Sequence, residues 1–566
     1  GILRSLGATR AEVRALFLGE AIALGTIGVL VGIAGGLLLA RLLVGTVSKT
    51  ISSLYVLLSI REVAVTPLMF ASATVLGLLS VLVAAWLPAG AAAKMHPVRA
   101  LQGGTMIEEA TNLSPLWWLA GVGAVVVAGA FSYLALRTGP PWLGFGAAFF
   151  VLTGFSFLVP SVTSKFSALS TRALRKMMRV TQRPLVEPNL AAANLSRALV
   201  RNAVTIASLA AAVAMTIGTS VMVFSFRRTV ESWIDQTLVA DLFIAPASNE
   251  LVGPSSFVPP EAIRYLETYP AVAAIDTFRE ISVPSRGKRV ALAVIRGSEQ
   301  RRLHFVSGDD SAIMRRFNAE RCVLVSESFA RKRQVTDGEE LELMTPEGAR
   351  QFPIAGTFYD YTRDQGVVYM SEETFVPLWK DTRVNSVAVY LKQGASASDL
   401  TEAFRKNSSQ SGQFMILSNA DLRTRIFEIF DQTFAVTYVL RTIAVIVAIV
   451  GICLTLTTLI TERSRELAVL RAIGASVGQL RQVLLWESAM IGLLAAAVGL
   501  ASGICLSFVL TGVINRAFFG WTIQLAFPWA SLALTPIWIV AAAIVAGSLP
   551  AWRAGRLVIA QSLRSE

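Results

Sequence analysis

Long apolar runs alternate with short basic segments over most of the chain. Windows able to cross about 30 Å of hydrocarbon fall at 16–44, 67–87, 116–136, 142–162, 203–226, 434–460, 483–510 and 530–549. Each is predicted to be a helix, because lipid leaves no partner for an unpaired backbone amide. At 137–144 the segment "RTGPPWLG" places Gly139, Pro140 and Pro141 between two windows, as a tight turn joining antiparallel helices.

One long interval breaks this pattern. Between residues 227 and 432, strand-like alternation in "KRVALAVIRG", "ELELMTPEGARQFPIAGTFYD" and "NSVAVYLKQG" mixes with helix-like "PEAIRYLETY" and "ASDLTEAFRKN". Turn signals at Asp337-Gly338, Pro346-Glu347-Gly348 and Ser285-Arg286-Gly287 punctuate it. The predicted fold class is a polytopic α-helical membrane protein of eight spans with one α+β extracytoplasmic domain.

Composition supports a chain that faces lipid. In 566 residues, 54% are hydrophobic and 16% charged, with a mean hydropathy of +0.58. The formal charge of +13 would suggest nucleic acid in a soluble domain, but the basic residues flank apolar windows, where they orient helices. The segment 165–201 holds Lys165, Arg172, Arg175, Lys176, Arg179, Arg183, Arg197 and Arg201 against the single acid Glu187, which assigns it to the cytoplasm. Counting spans from there places both termini inside and 227–432 outside, so the predicted location is a bacterial cytoplasmic (inner) membrane.

Two polar segments recur. Arg4, Gly7, Ala8, Arg14 and Glu20 match Arg471, Gly474, Ala475, Arg481 and Glu487 at a constant offset of 467 residues. "LPAGAAAKMHPVRAL" at 87–101 matches "LPAWRAGRLVIAQSL" at 549–563 at an offset of 462. The predicted divisions are a first repeat unit with two spans (1–110), a membrane hairpin (111–164), a basic cytoplasmic linker (165–201), a span (202–226), the outer domain (227–432) and a second repeat unit with three spans (433–566). The first unit is incomplete: it lacks the span and outer domain that precede the charged segment in the second. Gly1 is not a methionine, and the chain is expected to begin within a longer protein.

Each repeated segment encodes a corner. After Glu462, Leu467, Leu470 and Ile473 share one helical face, leaving Arg463, Arg465, Glu466 and Arg471 available to water. Gly474 suits the position just past a helix end. Ser476 with Gln479, and Thr9 with Glu12 after Gly7, have capping-box spacing for the next helix. A short amphipathic helix joined rigidly to a membrane helix is a lever. Its mixed charges favour a protein partner over anionic lipid; the competing reading is a helix resting among headgroups.

"RSRELAVLRAIGAS" with "LLWES", "GILRSLGATRAEV" and the closing "LPAWRAG" resemble the FtsX-like permeases of the type VII ABC transporter superfamily, which includes MacB and the lipoprotein-releasing systems. The arrangement is similar to the long duplicated form with ten spans and two outer domains, without the first span and first outer domain. The resemblance implies that the segment 462–475 is a coupling helix gripped by a separate ABC-type ATPase dimer, through Glu462, Arg463, Arg465, Glu466, Leu470, Arg471, Ile473, Gly474 and Ala475. In the first copy the matching residues are Arg4, Leu6, Gly7 and Ala8. It further implies that the chain moves its outer domain to export or extract a lipid, lipoprotein, peptide or other amphiphile, with membrane lipids as neighbours.

A second reading is a regulatory transducer that activates an extracytoplasmic hydrolase or adaptor. A third, an ion-coupled secondary transporter, needs midplane charges or broken helices, which the spans scarcely supply.

Catalytic chemistry is not encoded. The sequence has no G-x-x-x-x-G-K-[ST] phosphate loop and no H-E-x-x-H or Cys/His cluster. Its histidines are His96 and His304, and its cysteines Cys322, Cys453 and Cys505. No catalytic residue, metal, cofactor or nucleic-acid partner is therefore expected. Glu20 and Glu487 lie within spans, either functional or paired with Arg14 and Arg481. The glycines in "GTIGVLVGIAGG", 25–36, permit close helix approach. Asp309 and Asp310 are expected to decorate a turn.

Overall fold

The computed structural model describes residues 7–55, 66–94, 115–182, 185–197, 199–249, 256–296, 301–363, 365–407, 414–462 and 469–554. The chain separates into two compact units, Gly1–Asn112 with Arg564–Glu566, and Leu113–Leu563.

The first unit is a pair of membrane helices, α1 (Arg10–Tyr55) and α2 (Pro67–Lys94). They approach closely where Gly25 meets Val81 and Gly77 meets Val29.

The second unit begins with α3 (Pro115–Thr138) and α4 (Pro141–Thr181), joined by the expected Gly-Pro-Pro turn with Gly139 at φ +84°. Gly121 and Gly154 let this hairpin close, each facing the other's carbonyl. The basic segment 165–201 is a structured continuation of the bundle. α4 runs on through Pro160 and past its apolar stretch to a left-handed cap at Gln182, and α5 (Val186–Arg197) folds back against it. Ser167 donates to the Ala192 carbonyl at 2.7 Å, and Asn202 to that of Leu195 at 3.2 Å.

Helix α6 (Leu199–Thr237) then leads into the outer domain, and α12 (Asn419–Glu462) returns from it. Helices α13 (Val477–Phe508) and α15 (Trp529–Ala554) complete the bundle. Between them α13 continues through a π-helical stretch, Val509–Ile514, into α14, Asn515–Phe519. Its core joins α5, α6, α13 and α15 through Leu195, Ile206, Val213, Ile217, Ile491 and Ala543.

Among the described residues, seven helices are long and apolar enough to cross a membrane. These cover seven of the eight expected windows. The remaining one, 434–460, lies on α12, many of whose side chains are outside the described residues.

The outer domain is α+β. Its strands are β1 (Leu242–Pro246), β2 (Val272–Ser285), β3 (Lys288–Arg296), β4 (Val323–Ser326), β5 (Glu340–Thr345), β6 (Gly348–Phe358), β7 (Val368–Ser371), β8 (Ser386–Leu391) and β9 (Phe414–Ser418). They form one sheet in the order β5-β6-β4-β7-β3-β2-β8-β1-β9. The β2–β3 hairpin closes through Arg286 and Gly287, at φ 44° and 75°, the two left-handed residues of a tight hairpin turn. Helices α7 (Pro260–Thr268), α8 (Asp310–Ala319), α9 (Glu327–Arg333), α10 (Glu372–Trp379) and α11 (Ala397–Asn407) accompany the sheet. Asp309 caps α8 by accepting from Ser311 and Ala312, the turn role expected of it.

Both connections to the membrane leave from one edge of the domain. Strand β1, which follows α6, pairs antiparallel with β9, which precedes α12. Asn419 clips the two together, donating to the carbonyls of Leu238 at 2.7 Å and Ala240 at 2.9 Å, and Arg423 pairs with Asp235.

Candidate functional site

In the second repeat the corner is formed as its residues dictate. The Gly474 amide donates to the Arg471 carbonyl at 3.1 Å and the Ala475 amide to that of Leu470 at 3.0 Å, the paired closing bonds of a Schellman motif. Gly474 sits at φ +106°, where a side chain is strained. Ser476 and Gln479 form the full capping box: the Gln479 amide donates to Ser476 Oγ at 3.1 Å and the Ser476 amide to Gln479 Oε1 at 2.9 Å.

The first repeat reproduces the corner. Gly7 has φ +101°, the Thr9 amide donates to Glu12 Oε2 at 2.9 Å, and the Glu12 amide donates to Thr9 Oγ1 at 3.2 Å.

Ile473 is 77% exposed, while Leu470, Arg471 and Ala475 are half-buried and Ala8 sits between Gly7 and the cap. Arg4, Leu6, Arg463, Arg465 and Glu466 lie outside the described residues, as does the side chain of Glu462, the last residue of α12. The intramembrane acids differ between copies: Glu487 is fully buried, whereas Glu20 is exposed. Arg14 stacks over Trp86 at 3.8 Å.

From the corner at Ser476, one helical rod, Val477–Phe519, runs 43 residues, about 65 Å at 1.5 Å per residue. Its far end enters a joint with the outer domain that periodicity and motif spacing do not reveal. Gly520 turns the chain at φ +76° and packs so closely that a Cβ would lie 3.0 Å from Ser328 Cα.

Thr522 then binds the domain. Its amide donates to Glu327 Oε2 at 2.9 Å, its hydroxyl to Glu327 Oε1 at 2.5 Å, and its carbonyl accepts from Tyr361 Oη at 2.9 Å. Arg331 reaches Glu327 Oε1 at 2.6 Å and Thr522 Oγ1 at 3.0 Å. Burial pushes the Glu327 carboxyl upward, opposed by the Thr522 donors; burial likewise raises the Tyr361 phenol.

The strand-like segment after Thr522 is laced to α6. Ser225 Oγ donates to the Ala526 carbonyl at 2.9 Å and accepts from its amide at 3.0 Å, and the Gln524 amide donates to Thr229 Oγ1 at 3.0 Å. Phe226, Val230, Ile234, Tyr361, Trp521 and Ile523 fill the space between, and Trp233 Nε1 donates to the Tyr359 carbonyl at 3.1 Å. In the sequence these partners are only two polar residues one turn apart, Ser225 and Thr229, and a distant segment "GWTIQLAFPW", with nothing to pair them. Among the described residues no cluster of His, Cys, Asp and Glu could hold a metal ion.

These features define a class: a polytopic membrane protein in which a rod links a capped corner to an outer α+β domain. The FtsX-like permease C-terminal family matches residues 1–97 and 438–559, and the MacB-like periplasmic core domain family matches residues 202–407. The chain thus carries an FtsX-like permease region and a MacB-like periplasmic core domain, and is a multi-pass bacterial membrane protein similar to ABC transporter permeases.

An uncharacterized ABC transporter permease protein of Mycobacterium tuberculosis is 30% identical over 578 residues, covering 100% of this chain; the chain spans 66% of that relative's length. The macrolide export ATP-binding/permease protein MacB of Syntrophobacter fumaroxidans is 34% identical over 124 residues, 22% of this chain and 16% of its own. The periplasmic region of MacB from Actinobacillus actinomycetemcomitans covers 33% of this chain and 92% of its own at 13% identity and a TM-score of 0.26.

Proposed function

We propose that this chain is the permease subunit of an ABC transporter of the bacterial cytoplasmic membrane, with both termini inside, driven by a separate cytoplasmic ATPase dimer. The ATPase grips the segment 462–475 and its counterpart at Arg4, Leu6, Gly7 and Ala8. Force passes through the corner into the Val477–Phe519 rod and through the Thr522–Glu327 joint into the outer domain within 227–432. The chain itself is non-catalytic, and its motion exports or extracts a lipid, lipoprotein, peptide or other amphiphile.

The observation that carries this reading is the rod. It has an exposed hydrophobic residue, Ile473, before its fixed corner and hydrogen bonds into the outer domain just past its far end. The corner's own bonds fix the angle at the near end, and the far end is bonded to the outer domain, so a push on the corner would be carried along the helix.

The test is to replace Glu466→Lys or Gly474→Pro and measure ATPase association and coupled nucleotide turnover. Loss of either with membrane insertion intact is expected; unchanged coupled activity overturns the reading.

A further inference from the structure

The outer domain carries a cleft of about 510 Å³ where α10 ends beside β2. Three cations line it, Arg279, Lys380 and Arg383, against the carboxylate of Asp381. This excess of positive charge faces an apolar wall made by Ile281 and Trp379.

The charged side is held in place by one buried post. The Arg279 side chain is 11% exposed. Its Nε and Nη2 donate to Asp381 Oδ2 at 3.3 and 3.0 Å, and its Nη1 to Asn385 Oδ1 at 3.0 Å and the Glu280 carbonyl at 3.1 Å. A guanidinium taken out of water is costly unless its donors are satisfied, and here every nitrogen is used to fix one loop, 380–383. Arg383 completes the loop: its amide and Nε donate to Asp381 Oδ1 at 3.0 and 2.8 Å, and its Nη2 to Oδ2 at 2.9 Å.

Two cations remain for a ligand. Lys380 caps α10 at φ 54°, which turns the chain out of the helix, and it is exposed with no ion-pair partner among the described residues. The Arg383 side chain is 58% exposed, and its Nη1 is not among the donors to Asp381. The apolar wall is equally fixed. Trp379 stacks on buried Phe375 at 4.9 Å and 14° between planes, which leaves its outer indole face to the cleft.

We infer that this cleft binds a small organic anion, a carboxylate or phosphate carried directly on an apolar ring or short chain. The anion sits between Lys380 and Arg383, where its hydrogen bonds are charge-assisted, and the apolar body lies against Trp379 and Ile281. The volume suits a small-molecule site. A bare inorganic anion would leave the indole uncovered, and a neutral apolar molecule would leave both cations unanswered. The inference holds whether or not the proposed coupling to an ATPase does.

The experiment uses the whole chain in phosphatidylcholine nanodiscs, with 4-benzoylbenzoate as a photoreactive probe and its trimethylammonium counterpart as the cationic control. Labelled positions are located by mass spectrometry of chymotryptic peptides, whose cut sites the Lys380 variants do not alter. Labelling by the anionic probe is expected to concentrate at Ile281 and within 372–383, at least about fivefold above the cationic control. Lys380→Glu should lower it about fivefold, while Lys380→Arg retains it. Trp379→Leu should lower it as well; because Lys380 is exposed, its variants decide the outcome even if Trp379→Leu does not fold.

Phenyl phosphate in solution and phosphatidylglycerol in the disc, each tried as competitor, distinguish a free anion from one borne by a lipid headgroup. Displacement of the probe by either upholds the site. Displacement by neither would show that the diaryl body alone holds the probe. Equal labelling by the two probes would reduce the cleft to an apolar surface. Labelling unmoved by Lys380→Glu would remove the cations from the site, and labelling no stronger here than over the rest of the outer domain would leave no site. Each of these last four outcomes overturns the inference.

Discussion

Asp381 shows how one carboxylate orders a surface of the outer domain. It accepts from Arg279 Nη2 at 3.0 Å and from Arg383 Nε at 2.8 Å, while both guanidinium groups lie over the Phe257 ring at 4.7 and 4.5 Å. The Arg383 hydrogen bond, with help from Arg279 and against some burial, holds the Asp381 carboxyl well below the usual carboxylate range. A depressed value means that its stabilisation is present above the unfolded value, near 4, and is lost as pH falls through the folded one. Asp381→Asn is expected to cost about 2 kcal/mol at neutral pH, measured by guanidinium unfolding of the purified chain followed through tryptophan fluorescence. The gap between the two proteins should remain full at pH 5 and close only in strong acid; closure by pH 5 would contradict the geometry.

At the scale of elements, the corner is the feature the sequence disclosed most fully. Its bonds join neighbours: Gly474, Ser476 and Gln479 fall within six residues, so spacing alone specifies them. Ser476→Ala removes one half of the capping box and is expected to cost about 1 kcal/mol. Amide exchange at Gln479 and Leu480 should accelerate about fivefold, the equivalent of that cost, with no change near the far end of α13.

The spans and the β2–β3 and β5–β6 hairpins were legible for the same reason, since apolar length and turn chemistry are local. The sheet order was not. Parallel pairs such as β3–β7 and β4–β6 join segments whose patterns say nothing about their neighbours. The joint was equally hidden, because Glu327 and Thr522 are 195 residues apart and each alone reads as an ordinary polar residue. Along the basic stretch 165–201, α4 and α5 keep helical order that a count of charges does not disclose.

For the whole molecule, the question is whether the rod and the outer domain move together. Glu327 takes three donors, two from Thr522 and one from Arg331. Thr522→Val keeps the volume but removes the hydroxyl donor from a buried carboxylate, weakening the joint by about 1–3 kcal/mol. In a coupled complex, nucleotide turnover is expected to persist while spin-label distances between the outer domain and α13, constant when the joint holds, begin to vary with nucleotide. Loss of turnover together with the distance change would point to misfolding rather than slippage.

The way the outer domain is attached has a consequence for how such proteins diversify. Its first strand and its last lie side by side, with Leu242 opposite Ser418, and Asn419 pins their exits together. A module whose two ends meet can be lifted out and replaced by another of different shape without rerouting a single membrane helix. Selection can therefore reshape the module wherever a carboxylate is kept at the seat of Glu327 against Thr522.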